Sequence, residues 1–458
     1  MDGTKDPAWE RPLAGSGGPD GRVGRLDART AALRDFTAAT LGRAETTDAV
    51  HLPPRPARDP ELVQIHAEAG RFYQACLAGS WVPGYLAGRG LDAALLPASP
   101  WKIGYAPASW TILTEHLRKL GHCDAALLCS GLVVNGRNGL RDHFHDRLVI
   151  PLRAEDGVVV GFIGRRHPDA GDDHGPKYLN SPDTEIFTKG HILAGLAEAG
   201  NAFQRGAQPV LVEGPLDAIA VSIAAPGQYT GVAPCGTALA AAQVAALARA
   251  VAVAERGIRV ALDGDAAGRK AAVRAYALLA PVTGSLVAVT FPDGRDPAET
   301  LEKDGRVPLR NTLTCSVRPL ADVVVDTSMA DWAHGRDLKF AELQMGALRA
   351  AAGAIAAMPA DEIGPQAARL CAMFSEHYGW KPEEVTAEII NAIERYYQPA
   401  SRANPLQEEL YHPADSPWSV VARATAPSQS GTAADRPTVG FRHQLRFVQA
   451  LSGAERGA

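Results

Sequence analysis

VALDGDAAGRKAA, residues 260–272, is the stretch on which the reading of this chain turns. Apolar residues run straight into Asp263-Gly264-Asp265, and a small-residue turn leads on to Arg269 and a helical pattern. Ile258 to Leu262 is a short apolar run of the kind that forms a buried parallel strand. Side chains alternate along a strand, so Asp263 and Asp265 are expected to point the same way at its carboxyl end. Open α/β sheets bind ligands at that edge. Two like charges so close repel unless a counter-charge sits between them, and a divalent cation is the usual one. Carboxylate oxygens suit Mg²⁺, which takes one or two carboxylates plus waters and phosphate oxygens. The alternative is that Asp263 simply caps the next helix.

A second acidic position separates these readings. Working outward from 260–272, strands and helices alternate from about residue 208. PVLVEG (209–214) reads as a strand, LDAIAVSIA (216–224) as a helix, and GVAPCG (231–236) as a short strand and turn. A helix over 238–255, the strand ending on Asp263, a helix over 267–280 and the strand SLVAVTF (285–291) follow. That rhythm implies parallel β-α units. The first of these strands ends on Glu213, with Asp217 one turn into the next helix. Glu213, Asp263 and Asp265 are thus expected at one sheet edge. Asp293 and Asp296 follow the last strand in FPDGRDPAETL (291–301), where Pro292 and Gly294 also fit plain turn chemistry.

Upstream, ELVQIHAEAGRFYQACLAG (61–79) carries apolar residues at helical spacing, and YLAGRGLDAALL (85–96) gives a turn at Gly90 and a further short helix. Residues 111–134 read as two helices. RLVIPLR, a turn at EDG and VVVGFIGRR (147–166) read as a β-hairpin. Beyond 300 the pattern is helical, with a helix start at Lys381-Pro382-Glu383-Glu384. The two ends, rich in Gly, Pro and Ser, read as disordered tails, with a short helix near FRHQLRFVQALS (441–452).

The whole chain has 458 residues, 46% hydrophobic and 21% charged, with a net charge of −5. It is therefore not a basic nucleic-acid coat, although local basic stripes matter more than the sum. Its six cysteines form no CxxC pair and read as reduced, mostly buried thiols, with no zinc expected. The start lacks a secretory apolar core, and no apolar run is long enough to span a membrane. A cytoplasmic location is expected.

LVEGPLDAIAV, LDGDAAGRKAAVRA and FPDGRDPAETL together resemble the Toprim domain of bacterial DNA primases of the DnaG type. FHDRLVIPLRAEDGVVVGFIGRR followed by GPKYLNSPDTEIFTKGHILAGL is similar to the N-terminal half of the primase RNA polymerase core, and YLAGRGL to its opening helix and turn. The resemblance runs from about residue 63 to 305. It implies an α/β fold: a Toprim parallel-sheet domain preceded by an α+β primase core subdomain and followed by a helical region. The expected boundaries are tail 1–60, core subdomain 61–205, Toprim domain 206–305, helical region 306–400 and tail 401–458.

The resemblance assigns Glu213, Asp263 and Asp265 to catalysis and metal binding, with Asp217 and Asp296 as further acidic positions of the metal site. Arg147, Arg165, Lys177, Tyr178, Asn180, Lys189 and Arg269 are the implied contacts to nucleic acid or nucleotide. Arg offers phosphate a bidentate fork and Lys a point charge. The implied activity is metal-dependent synthesis of short RNA primers on single-stranded DNA from nucleoside triphosphates, with Mg²⁺ or Mn²⁺ and a replicative helicase as candidate partner.

Two departures stand out. No Cys/His set matches the zinc-binding domain such primases usually begin with, an architecture that would suit a plasmid, phage or integrative-element primase. Ala298, with Glu299 adjacent, replaces a second acid common in the family. The competing readings are a Toprim metal-dependent nuclease and a non-catalytic primase-like binding module.

Overall fold

The computed structural model describes residues 58–397 apart from 138, 172–174, 237 and 264. The expected tails, except for their innermost residues, and the helix near 441–452 lie outside the described residues, as does the central glycine of the Asp-Gly-Asp turn. Two compact units divide the described chain, residues 58–327 and 328–397.

The first unit opens with α1 (Pro60–Ala75), started by the Asp59 carboxylate accepting from the Glu61 amide at 2.8 Å and by proline in the first turn. Then come α2 (Val82–Gly88), β1 (Gly104–Ala106), α3 (Ile112–Lys119), α4 (Asp124–Cys129) and the hairpin β2 (Val133–Gly136) and β3 (Gly139–Asp142). The expected 147–166 hairpin is present as β4 (Arg147–Arg153) and β5 (Val159–Arg166). With β6 (Tyr178–Asn180) they form a four-stranded antiparallel sheet of order β1-β4-β5-β6. Its core is aromatic: Tyr73 meets Phe162 and Phe144 edge-on, with ring centroids 5.4 and 6.5 Å apart.

β7 (Leu193–Ala194) and α5 (Gly200–Gln204) lead into the alternating region. This comprises β8 (Gln208–Val212), α6 (Pro215–Ala224), β9 (Tyr229–Pro234), α7 (Ala241–Ala250), α8 (Val253–Arg256), β10 (Ile258–Ala261), α9 (Ala266–Leu279) and β11 (Leu286–Val289). After it come α10 (Pro297–Asp304), α11 (Arg306–Cys315) and β12 (Val317–Pro319). The six-stranded sheet has order β12-β11-β10-β8-β9-β7. Its four central strands are parallel and its two edge strands antiparallel. α6 lies directly on β9: a Cβ at Gly231 would sit 2.3 Å from Ala218 Cα, so only glycine permits this approach. The single helix expected over 238–255 is interrupted at Val251, which takes up extended backbone.

α12 (Leu320–Ala333) ends in the second unit, which continues with α13 (Ala341–Ala356), α14 (Ala360–Tyr378) and α15 (Pro382–Tyr397). Gly346 of α13 sits against the Trp332 ring, where any Cβ would fall within 1.9 Å of the indole. Gly379, at φ +72°, ends α14 in the left-handed conformation. No described helix is long and apolar enough to cross a membrane.

All six cysteines are free, but only Cys235 is buried. The expectation of mostly buried thiols is corrected: Cys123, Cys129 and Cys315 fall on helix ends and turns that face solvent.

One buried group makes the first unit acid-sensitive. His66 is fully buried, bonds the Leu62 carbonyl through Nδ1 at 2.7 Å and stacks on Phe162, while its Nε2 has no partner. Burial lowers its pKa from 6.5 to about 4, against the raising effect of the Leu62 carbonyl. The neutral form is therefore the folded form. Its contribution is complete above pH 6.5 and is lost as pH falls toward 4, by up to about 3 kcal/mol. Denaturant titrations between pH 7 and 4 should show His66→Phe losing less stability than the parent by that amount; identical slopes would exclude His66 as the source.

Candidate functional site

Parallel strands bring their carboxyl ends to one edge, and the acidic residues stand there. Glu213 follows β8 and is exposed; Asp263 follows β10 and is half-buried. These strands are neighbours in the sheet, and the Asp263 amide donates to Glu213 Oε1 at 3.2 Å. Asp265, exposed, is the N-cap of α9 and accepts from the Gly268 amide at 2.7 Å. The capping role considered for Asp263 thus belongs to Asp265. Asp217, in the first turn of α6, accepts from the amides of Gly214 and Ala298, each at 3.2 Å. Asp296 caps α10 through the Glu299 amide at 2.6 Å.

The first turn of α9 lies close against Asp263. A Cβ on Gly268 would lie 2.1 Å from the Asp263 carbonyl oxygen. Gly268 is therefore required for the first turn of α9 to lie against the strand end.

These carboxylates lie close enough to perturb one another. Burial, then repulsion from Glu213, Asp296, Asp265 and Glu299, pushes Asp263 up to about 6. Burial, then Asp296, pushes Asp217 up to about 8, with Asp263 adding to the rise and the Ala298 amide opposing it. The edge thus holds more negative charge than its surroundings neutralise. Among the described residues, no three carboxylate, imidazole or thiol groups converge tightly enough to hold one ion by themselves.

A basic and aromatic group faces this edge. Arg165, on β5, is 8% exposed, and its Nη1 donates to Tyr178 Oη at 2.9 Å. Its guanidinium lies 5.2 and 5.3 Å from the ring centroids of Tyr85 and Tyr178. Burial raises Tyr178 to about 12, with Arg165 opposing and Asp217 adding to the rise, so this tyrosine feels the acidic edge. Lys177 is exposed, its ammonium 6.0 Å from the Tyr178 ring. Asn180 Nδ2 donates to the Cys235 carbonyl at 3.1 Å, stitching β6 to the end of β9. Lys189, half-buried, is held through its amide on Asp183 at 2.9 Å. Arg269 is half-buried in the first turn of α9.

Arg147 differs from the other basic residues. It is 4% exposed, and its guanidinium donates to the carbonyls of Gly164 and Pro176 at 3.2 and 2.9 Å. Conversely, Arg89 carries no functional signal in the sequence, yet it reaches the site. Its Nη1 donates to Tyr85 Oη at 3.1 Å and its Nε lies 3.1 Å from Glu302. Asp296 also acts on its charge. Periodicity carries no sign of this; the only local cue is Gly90, at φ +68°, which turns the chain just after it.

The profile of the DNA primase catalytic core, N-terminal domain, matches residues 74–200, and that of a Toprim-like domain matches residues 210–301. The crystal structure of the RNA polymerase domain of Mycobacterium tuberculosis primase DnaG, solved with a double-stranded DNA oligomer bearing a 6-nucleotide overhang, is 31% identical with a TM-score of 0.57. The match covers 70% of this chain and 99% of that one. The chain belongs to the bacterial DnaG primase family.

A DNA primase domain from Pseudomonas aeruginosa is 30% identical with a TM-score of 0.58, over 72% of this chain and 99% of that one. The DNA primase of Mycolicibacterium smegmatis is 33% identical over 339 residues, 72% of this chain and 51% of its own length. The chain spans about half the length of the curated primases it matches. In this chain the acidic edge falls within the residues matched by the Toprim-like model, and the Arg165–Tyr178 stack within those matched by the primase N-terminal core model.

Proposed function

We propose that this chain synthesises short RNA primers on single-stranded DNA by nucleotidyl transfer at the acidic sheet edge. The observation that carries this reading is the meeting of five acidic residues, from three stretches of the chain, near Tyr178, whose ring carries the Arg165 guanidinium.

The charge balance of the edge fits divalent cations. Mutual repulsion raises Asp263 and Asp217, and hard oxygen donors fill the site. Glu213, Asp263 and Asp265 would hold the ions, with Asp217 and Asp296 beside them; the set would take Mg²⁺ or Mn²⁺. When bound, such ions neutralise phosphate charge and activate a hydroxyl at neutral pH. The protein's own groups do the rest. Glu213 braces the Asp263 amide, and Asp217 bridges the starts of α6 and α10, so the carboxylates keep their spacing. Arg165, fixed between two tyrosines, presents a positive charge that little side-chain entropy need be lost to orient. Lys177, Lys189 and Arg269 would supply further positive charge to template and triphosphate, with Tyr178 beside Lys177 and Asn180 tied to the Cys235 carbonyl. The DNA-bound state of the mycobacterial relative supports a nucleic-acid path here.

The deciding experiment incubates the full chain with single-stranded DNA, nucleoside triphosphates and Mg²⁺ or Mn²⁺, with and without a replicative helicase. Short template-dependent RNA is expected. Shortened DNA without new RNA would instead identify a nuclease, and binding without either product a non-catalytic module. Lys177→Ala should weaken single-strand binding modestly and lower the slope of log K against log salt by about 0.7. Fluorescence anisotropy across a salt series measures this, and an unchanged slope would remove Lys177 from the phosphate contacts.

A further inference from the structure

Tyr85 lies where three parts of the site meet. It stands in α2, four residues before Arg89, so the two side chains share one helix face. Its hydroxyl accepts from Arg89 Nη1 at 3.1 Å, and Arg89 Nε lies 3.1 Å from Glu302 of α10, the helix that Asp296 caps. Its ring centroid lies 5.2 Å from the Arg165 guanidinium, which stands 5.3 Å from that of Tyr178 as well. The ring is itself held: Trp81 meets it edge-on at 5.6 Å, and the Trp81 indole N–H donates to Asp146 at 2.9 Å.

Arg89 and Arg165 come from different segments, yet their guanidinium carbons lie 5.9 and 5.2 Å from the centre of this one ring. Like charges gathered in this way repel, and a buried cation is costly without a counter-charge. Glu302 answers Arg89. Arg165 is 8% exposed and forms no ion pair among the described residues; a tyrosine hydroxyl and two aromatic rings meet it instead. Aromatic faces offset part of such a charge. The remainder suits an anion.

We propose that Tyr85 is a positioning residue: it sets Arg89 and Arg165 as one unit that receives a phosphate group beside the acidic edge, from a nucleoside triphosphate or from the backbone of the single strand. The inference rests on the reading of that edge as a nucleotidyl-transfer site. Tyr85 itself need not touch the ligand. Its hydroxyl acts on Arg89 and its ring on Arg165, so the two contributions can be removed one at a time.

The test uses the full chain and reads binding rather than synthesis, by fluorescence anisotropy with two probes: a ribose-labelled ATP with Mg²⁺, and a labelled single-stranded DNA. Tyr85→Phe, which removes only the hydroxyl, should weaken the phosphate ligand about fivefold, and Tyr85→Leu, which removes the ring too, about 30-fold. The probe that weakens identifies the source of the phosphate. In an Arg89→Met background Tyr85→Phe should change nothing further, because the donor to its hydroxyl is already gone. In an Arg165→Met background the Tyr85→Leu loss should shrink to about the fivefold carried through Arg89. A merely structural tyrosine would cost the same factor in every background, and that result overturns the proposal. So does parent-like binding of both probes by Tyr85→Leu, or a parent that binds neither. Tyr85→Phe keeps a ring against Trp81, and so covers the case in which Tyr85→Leu fails to fold. A parent that binds its probes yet makes no RNA would sink primer synthesis and leave the role of Tyr85 standing.

Discussion

Asp263→Asn should cut primer synthesis by roughly 10³-fold or more and, without divalent ions, make the protein more heat-stable. The loss follows from removing a carboxylate from the group that fixes charge beside the reacting phosphates. The gain follows from removing a charge that burial, and then repulsion, disfavours. Asp263 stands at about 6 in the folded chain, above its ordinary 3.8, first through burial and then through Glu213 and the other acids. A carboxylate raised in this way favours the folded state fully only below its unfolded value. That advantage is lost as pH climbs from about 4 through 6, and above 6 the ionised group opposes folding. Asparagine carries no such charge. After allowance for solvent screening of a half-buried group, the gain is about 1 kcal/mol, or an increase of about 1–3 °C in Tm near pH 7.5. It should shrink as pH falls below 6. Mg²⁺ should raise the Tm of the parent more than that of the variant. Calorimetry beside a priming assay separates the claims: full synthesis by the variant removes Asp263 from the chemistry, and a lower Tm at pH 7.5 without metal removes the disfavoured Asp263 charge as the cause.

Gly268→Ala should have the second-largest effect. The new methyl group would meet the Asp263 carbonyl oxygen at 2.1 Å and its carbonyl carbon at 2.9 Å, both backbone atoms that no rotamer change can move aside. The strand end must shift, and with it the spacing of Asp263 from Glu213. Misplacement on the order of 1 Å costs about 100-fold in rate, and overpacking of this kind costs about 1–3 kcal/mol of stability. Gly284→Ala is the control, because nothing lies within 4 Å of its Cβ position and its φ is not in the left-handed region. Equal activity of the two variants would show that the turn tolerates a side chain.

How much of this is legible in the sequence depends on the kind of signal. The parallel strands are apolar and punctuated by carboxylates, so β8, β10 and β11 can be read directly, and with them the meeting of Glu213, Asp217, Asp263, Asp265 and Asp296. β6 and β7, at three and two residues, are too short to show a period. The break at Val251 inside an alanine-rich run has no marker stronger than a β-branched residue. Arg147 and Arg165 look alike in sequence, each at the end of an apolar strand. Only folding shows one guanidinium turned onto the carbonyls of Gly164 and Pro176 and the other held between Tyr85 and Tyr178. Arg89 enters through a contact across more than 200 residues, with Glu302, that no local pattern encodes.

β7 has a bearing on how the gene can be cut. Leu193 and Ala194 precede the Toprim-like segment in the chain, yet they pair with Ala233 and Pro234 and close one border of its sheet. A recombinant fragment beginning at 206 would leave the outer side of β9, buried along its whole length here, without that cover. Such a fragment should precipitate on expression, whereas one beginning before 193 retains its own seal. The two family segments are therefore not interchangeable cassettes: shuffling between relatives should keep residues 193–234 from a single parent.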